Sequence, residues 1–191
     1  MNISRLASLT LIAIAAAGMI RMASALEPQG GPPPGVFPQP DEQPVQATLI
    51  TEHASIQPGG TTRVGVLFEL EEGWHIYGEQ PGDAGLPTKI AWTPFPGAQF
   101  GPLQWPPAYE FVEAGDIRTF GYTGALVLSS GLRLVTRETP DVLPLGAMVE
   151  WLACKEICVP GSATLELSLP VRPEAPVAST HAELFDHVHP E

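Results

Sequence analysis

Glycine and proline punctuate this chain so densely that long helices have little room to form. It holds 19 glycines and 22 prolines in 191 residues. Between residues 45 and 170 few windows of ten residues escape a helix breaker. Short β-prone runs fill the gaps, at residues 46–51, 62–70, 74–77, 88–92, 125–129, 132–136, 147–154 and 164–169. Several alternate with period two: Leu165, Leu167 and Leu169 face one way, and Thr164, Glu166 and Ser168 the other. Eight or so strands at this spacing predict an all-β domain, an immunoglobulin-like β-sandwich.

The flanks read differently. Residues 1–25 have the form of a secretory signal, with Arg5 as its positive start, an apolar run from Leu6 to Ile20, and the small-x-small site Ala23-Ser24-Ala25. The run is short for a membrane span, and Arg21 ends it. Residues 26–44 are rich in Pro, Gly and Gln and lack apolar periodicity, as in a disordered or polyproline-like leader. Residues 171–191 form a Pro-containing tail carrying His181, His187 and His189. Cleavage after Ala25 removes Arg5 and Arg21, leaving seven basic against 21 acidic residues, a formal charge of −14. Such a surface argues against nucleic acid as a partner. No later stretch reaches eighteen consecutive apolar residues, so no membrane insertion is expected.

The two cysteines, Cys154 and Cys158, stand in Trp151-Leu-Ala-Cys154-Lys-Glu-Ile-Cys158-Val-Pro160. In one extended strand, residues four apart lie about 13 Å apart, whereas a disulfide needs Cα atoms within roughly 7 Å. The chain must therefore turn between them if they bond, either as a three-residue hairpin loop, Lys155-Glu156-Ile157, or as a single helical turn. Closing about five residues is worth only roughly 2 kcal/mol, so the spacing is poor for stapling. Three readings stay open on the residues alone. They are thiol–disulfide exchange, a structural small-loop clip, and a soft-metal or copper site completed by His75 or a methionine. The spacing is not the C-x-x-C of a thioredoxin helix.

Five ordered motifs narrow the choice. They are Gly73-Trp-His-Ile-Tyr77, residues 81–92 (PGDAGLPTKIAW), residues 101–107 (GPLQWPP), Phe120-Gly-Tyr122-Thr-Gly124, and the cysteine segment itself. Together they closely resemble the N-terminal periplasmic domain of the DsbD/ScsB-type thiol:disulfide interchange proteins, over most of residues 45–170. The resemblance implies an immunoglobulin-like sandwich with a redox-active pair, Cys154 and Cys158, and no bound organic cofactor. It implies a periplasmic protein-disulfide reductase component that takes electrons from a thioredoxin-like domain fed through a membrane. Its implied acceptors are exported thiol proteins such as disulfide isomerases, other thioredoxin-fold proteins and cytochrome c maturation factors. The rival class is a copper-binding or protein-binding immunoglobulin-like module.

The family also shields its cysteines with an aromatic cap loop. The candidate segment runs from Tyr109 to Tyr122, ahead of the next strand, with Phe111 as first choice for the shielding ring, Tyr109 as second, and Phe120 and Tyr122 as further members. Trp74, Trp92 and Trp105 read as core residues, and His75 and Tyr77 as bystanders that could lie near the pair. Lys155 would favour a cysteine thiolate, whereas Glu150 and Glu156 would oppose one. The C-x3-C spacing matches the ScsB-like branch. The full-length family continues into a transmembrane domain and a thioredoxin domain, so a separately encoded DsbD-like transmembrane donor is expected here. The terminal histidines read as a solvated tail. No carboxylate pair or nucleophile motif supports hydrolysis.

Overall fold

The computed structural model describes residues 43–113, 115–135 and 140–187. The expected signal at residues 1–25 and nearly all of the leader lie outside them, as does His189. Among the described residues ten strands form, with one short helix. They are β1 (Val45–Thr51), β2 (Thr61–Leu70), β3 (His75–Gly82), β4 (Lys89–Trp92), β5 (Ala98–Gln104), β6 (Tyr109–Glu113), β7 (Ile117–Thr123), β8 (Ala125–Leu134), β9 (Val142–Cys154) and β10 (Cys158–Pro170), followed by α1 (Leu184–His187). The fold is an immunoglobulin-like sandwich of two antiparallel sheets. One has strand order β1-β2-β8-β5 and the other β10-β9-β3-β7-β6, with β4 paired to β9.

Alternation builds the core. From the first sheet, Val64, Val66 and Phe68 of β2 and Leu126, Leu128, Leu132 and Leu134 of β8 point inward. Facing them are Ile76 of β3, Tyr122 of β7, and Leu143, Leu145, Ala147, Val149, Trp151 and Ala153 of β9. Trp151 meets Phe68 edge-on across the sandwich, with ring centroids 5.8 Å apart, a favoured aromatic arrangement. Trp74, Trp92 and Trp105 pack against this core. Trp92 also stacks on Phe100 and donates its indole N–H to Ser130 Oγ at 3.1 Å.

Two sequence expectations change form. Residues 125–129 and 132–136, read as separate strands, are largely one: β8 passes straight through Gly131, which pairs with Arg63. The segment from Tyr109 to Tyr122, read as a loop, falls in the β6–β7 hairpin, with Tyr109 opposite Gly121 and Glu113 opposite Ile117. Gly115 and Asp116 turn it at φ of 88° and 59°, a left-handed pair suited to a tight hairpin. Arg118 fastens it by pairing with Glu110 and donating its backbone N–H to Asp83 Oδ2 at 2.9 Å.

Residues 171–187 lie along the first sheet. Val171 bridges to Ile56 and Ala178 to His53. Leu184 and Phe185 cover Ile50, Leu67 and Val127 on the outer face of that sheet. This explains why β2 is buried on both faces instead of alternating. Arg63 holds the segment down, its guanidinium 2.8 Å from both Glu52 Oε1 and Asp186 Oδ1 and stacked over the Phe185 ring.

Candidate functional site

β9 and β10 form the longest ladder in the molecule, with thirteen cross-strand pairs ending at Cys158 opposite Cys154. Lys155, Glu156 and Ile157 make the connecting loop, the hairpin alternative of the sequence reading. The two cysteines are disulfide-bonded, with Cα atoms 4.1 Å apart. Their environments differ sharply. Cys154 is 3% exposed, whereas Cys158 lies open to solvent. One cysteine is sheltered by the sheet and the other is exposed at its tip.

The shelter comes from β3. His75 pairs with Cys154 in the β3–β9 ladder, and Ile76 with Ala153. Directly paired residues share a face, so Ile76 and Ala153 enter the core while His75 and Cys154 project outward. Tyr77, two residues on, projects with them and donates its phenolic O–H to Cys154 Sγ at 3.2 Å. The 81–88 loop fixes this tyrosine. Thr88 Oγ1 donates to the Tyr77 carbonyl at 2.8 Å. Gly85, at φ 95°, lies so close to the ring that a Cβ there would sit 2.4 Å from Tyr77 Cε1. That glycine is required both by its conformation and by the ring it admits.

The cap hairpin reaches the same place. Phe111 stacks on the His75 ring at 4.7 Å between centroids and 21° between planes. His75 in turn meets Tyr77 edge-on at 5.2 Å. Four side chains, Phe111, His75, Tyr77 and Cys154, therefore run in continuous contact from cap to sulfur. Of the four aromatics expected in the cap, Tyr109 shares the outward parity of Phe111, opposite Gly121 and hence in line with Tyr77. Phe120 and Tyr122 take the opposite parity. Tyr122 is a core residue that donates its hydroxyl to the Pro106 carbonyl at 2.8 Å. Burial, with the Glu79 carboxylate adding to it, pushes its phenol up to about 12. Phe120 is partly exposed on the hairpin's other side.

His75 and Tyr77, expected from sequence only to lie near the pair, with His75 also a candidate soft-metal ligand, both neighbour Cys154: His75 as its ladder partner and Tyr77 as a hydrogen-bond donor to its sulfur. The signal lay in their spacing of two within a strand. The charges expected around the cysteines are arranged otherwise. Lys155 Nζ donates to the Glu72 carbonyl at 3.0 Å, tying the cysteine loop to the β2–β3 turn. Glu150 stands opposite Lys89 on β4. Among the described residues no cluster of three or more His, Cys, Asp or Glu side chains gathers as a metal site, and no helix is long and apolar enough to cross a membrane. Further along the same hairpin, a groove of about 530 Å³ is lined by Leu86, Pro87, Lys89, Glu150, Pro160 and Ser162 among others. Ile157 and Leu86, both more than 60% exposed, give this end an apolar surface.

The family of the thiol:disulfide interchange protein DsbD, N-terminal domain, matches residues 42–170. The crystal structure of the N-terminal periplasmic domain of ScsB from Proteus mirabilis superposes with a TM-score of 0.51 at 24% identity, over 68% of this chain and 48% of that one. The chain thus spans about half the length of that structure, and the likeness is one of fold. The Neisseria meningitidis DsbD N-terminal domain in its reduced form gives a TM-score of 0.34 at 14% identity, over 64% of this chain and 85% of that one. No curated protein matches the chain.

Proposed function

The chain belongs to the family of DsbD N-terminal domains, and we propose that it passes electron pairs between exported thiol proteins through Cys154 and Cys158. The observation that carries this is the pair's asymmetry at a hairpin tip. One sulfur is open to an incoming group, and the other is held beside a hydrogen-bond donor. Neither a clip nor a metal site needs that difference.

The chemistry follows from it. A thiolate of a reduced partner attacks Cys158 Sγ. The Cys154–Cys158 bond breaks as the partner–Cys158 disulfide forms, and Cys154 leaves as a thiolate. The Tyr77 hydroxyl stabilises that developing charge as a charge-assisted donor. The partner's second thiolate then attacks its own sulfur of the mixed disulfide. This gives oxidised partner and a Cys158 thiolate, so two electrons have moved and the domain holds a dithiol once protonated. Delivery runs in reverse, with Cys158 attacking an acceptor's disulfide and Cys154 resolving it. The donor in this reading is a thioredoxin-like domain supplied by a membrane relay, and the setting is the periplasm, reached by cleavage of residues 1–25. The acceptors are thiol proteins of thioredoxin fold.

The test is the reduction potential of the pair together with trapping. A potential of roughly −270 to −180 mV is expected, between thioredoxin and the exported isomerases. The Cys154→Ser variant, keeping Cys158, should attack a thioredoxin-like donor whose single attacking cysteine carries a 5-thio-2-nitrobenzoate disulfide, trapping a stable mixed disulfide as the nitrothiophenolate leaves, and Cys158→Ser should not. A potential well below about −300 mV, or no trapping by either variant, would assign the pair to a structural clip.

A further inference from the structure

We propose that His75 is a positioning residue that couples the cap hairpin to the buried sulfur; the proposal rests on the exchange reading above and assigns a regulator to that site. Three contacts in series support it. The Phe111 ring lies face-on to His75 at 4.7 Å, His75 lies edge-on to Tyr77 at 5.2 Å, and the Tyr77 hydroxyl reaches Cys154 Sγ at 3.2 Å. The backbone fixes the ends of this series. His75 is the ladder partner of Cys154, and Phe111 belongs to β6, which pairs with β7.

Tyr77 is bounded on two sides. Gly85 and the loop around it press on one edge of the ring, leaving no room even for a methyl group. His75 supplies another wall. Phe111 holds His75 in turn, and a half-buried imidazole that loses its stacking partner regains rotamer freedom. Lifting the cap therefore removes the support that keeps the phenol aimed at sulfur. By linkage, a change at the sulfur alters how firmly the cap is seated. A ring of the right size is what the position requires.

The experiment is a double-mutant cycle, read as the rate at which dithiothreitol reduces the pair in the folded domain at fixed pH. With His75 present, Tyr77→Phe should slow reduction about three- to tenfold, the scale of one ordinary hydrogen bond, since the charge on the leaving sulfur is only partly developed in the transition state. In a Phe111→Ala background the same change should cost less than about twofold, because the donor is already misaimed. In His75→Ala the two changes should act independently, and His75→Phe, which restores a ring without restoring the imidazole, should bring the non-additivity back. If His75→Ala fails to fold, as judged by its circular dichroism, His75→Leu takes its place. Additivity in the presence of His75 would overturn the proposal. So would non-additivity that survives loss of the ring, or a Tyr77→Phe change without effect on the rate. The cycle needs no protein partner, so failed trapping and a failed cycle are separate results.

Discussion

At the scale of single residues, the site turns on which way a side chain points from its strand. Phe111 ranked ahead of Tyr109, Phe120 and Tyr122 in the sequence reading, but a segment read as a loop has no parity to separate them. Once β6 and β7 pair as a hairpin, Phe111 falls on the side of the disulfide and Tyr122 in the core. The family resemblance implied a cap, and register decides which aromatics face the pair. The two cysteines were legible because they are the only two. His75 and Tyr77 were not, since a histidine and a tyrosine two apart in a strand are common core-edge residues. Gly85→Ala is a sharp probe of the arrangement. The new methyl would meet the Tyr77 ring at a left-handed backbone position, and a loss of about 2–4 kcal/mol is expected, measurable by urea unfolding. Tyr122 offers a pH test. Its phenol titrates near 12 in the fold against about 10 in an unfolded chain. The unfolded state therefore ionises first as pH rises. The stability this residue contributes is complete below pH 10 and lost between about 10 and 12. Thermal melts across that range should show the loss, and Tyr122→Phe should flatten it.

Among elements, the segment after β10 departs most from what composition suggests. Prolines and scattered histidines read as a solvated tail, yet residues 171–187 run beside the 51–57 stretch and place Leu184 and Phe185 on an apolar patch. The hint was in β2, where Val64 to Phe68 is continuously apolar except for Gly65. A strand covered on one face alternates, and one covered on both does not. Phe185→Ala should cost about 1–2 kcal/mol, since only part of the ring is buried, and should increase binding of a hydrophobic dye. The clasp is also acid-labile. Arg63, by hydrogen bond and charge, holds the Glu52 carboxyl below its ordinary value. Its contribution is therefore present above the unfolded carboxylate range and is lost as pH falls through the depressed folded value. Melting temperature should drop more steeply below about pH 4 in the parent than in Glu52→Gln. Equal slopes would remove the clasp from the account.

For the whole molecule, the sandwich was legible because breaker spacing and alternation agree, and the family because five motifs fall in order. Strand number was less so, since β5 is interrupted by Gly101 and Pro102, β6 is only five residues long, and β7 carries Gly121. Thirteen ladder pairs hold the cysteine hairpin independently of its disulfide, so reduction should leave the fold in place. It should lower stability by about 2 kcal/mol or less, and backbone amide spectra of the two redox states should differ mainly around the tip. The unequal exposure of the two sulfurs has a kinetic corollary. If only Cys158 can be reached from outside, donor and acceptor must use the same doorway and cannot occupy it together. Traffic is then strictly by turns: one visitor departs with its electrons delivered before the next arrives. Steady-state rates measured against both partners should give parallel double-reciprocal lines, and an excess of either should inhibit by blocking the other's entry.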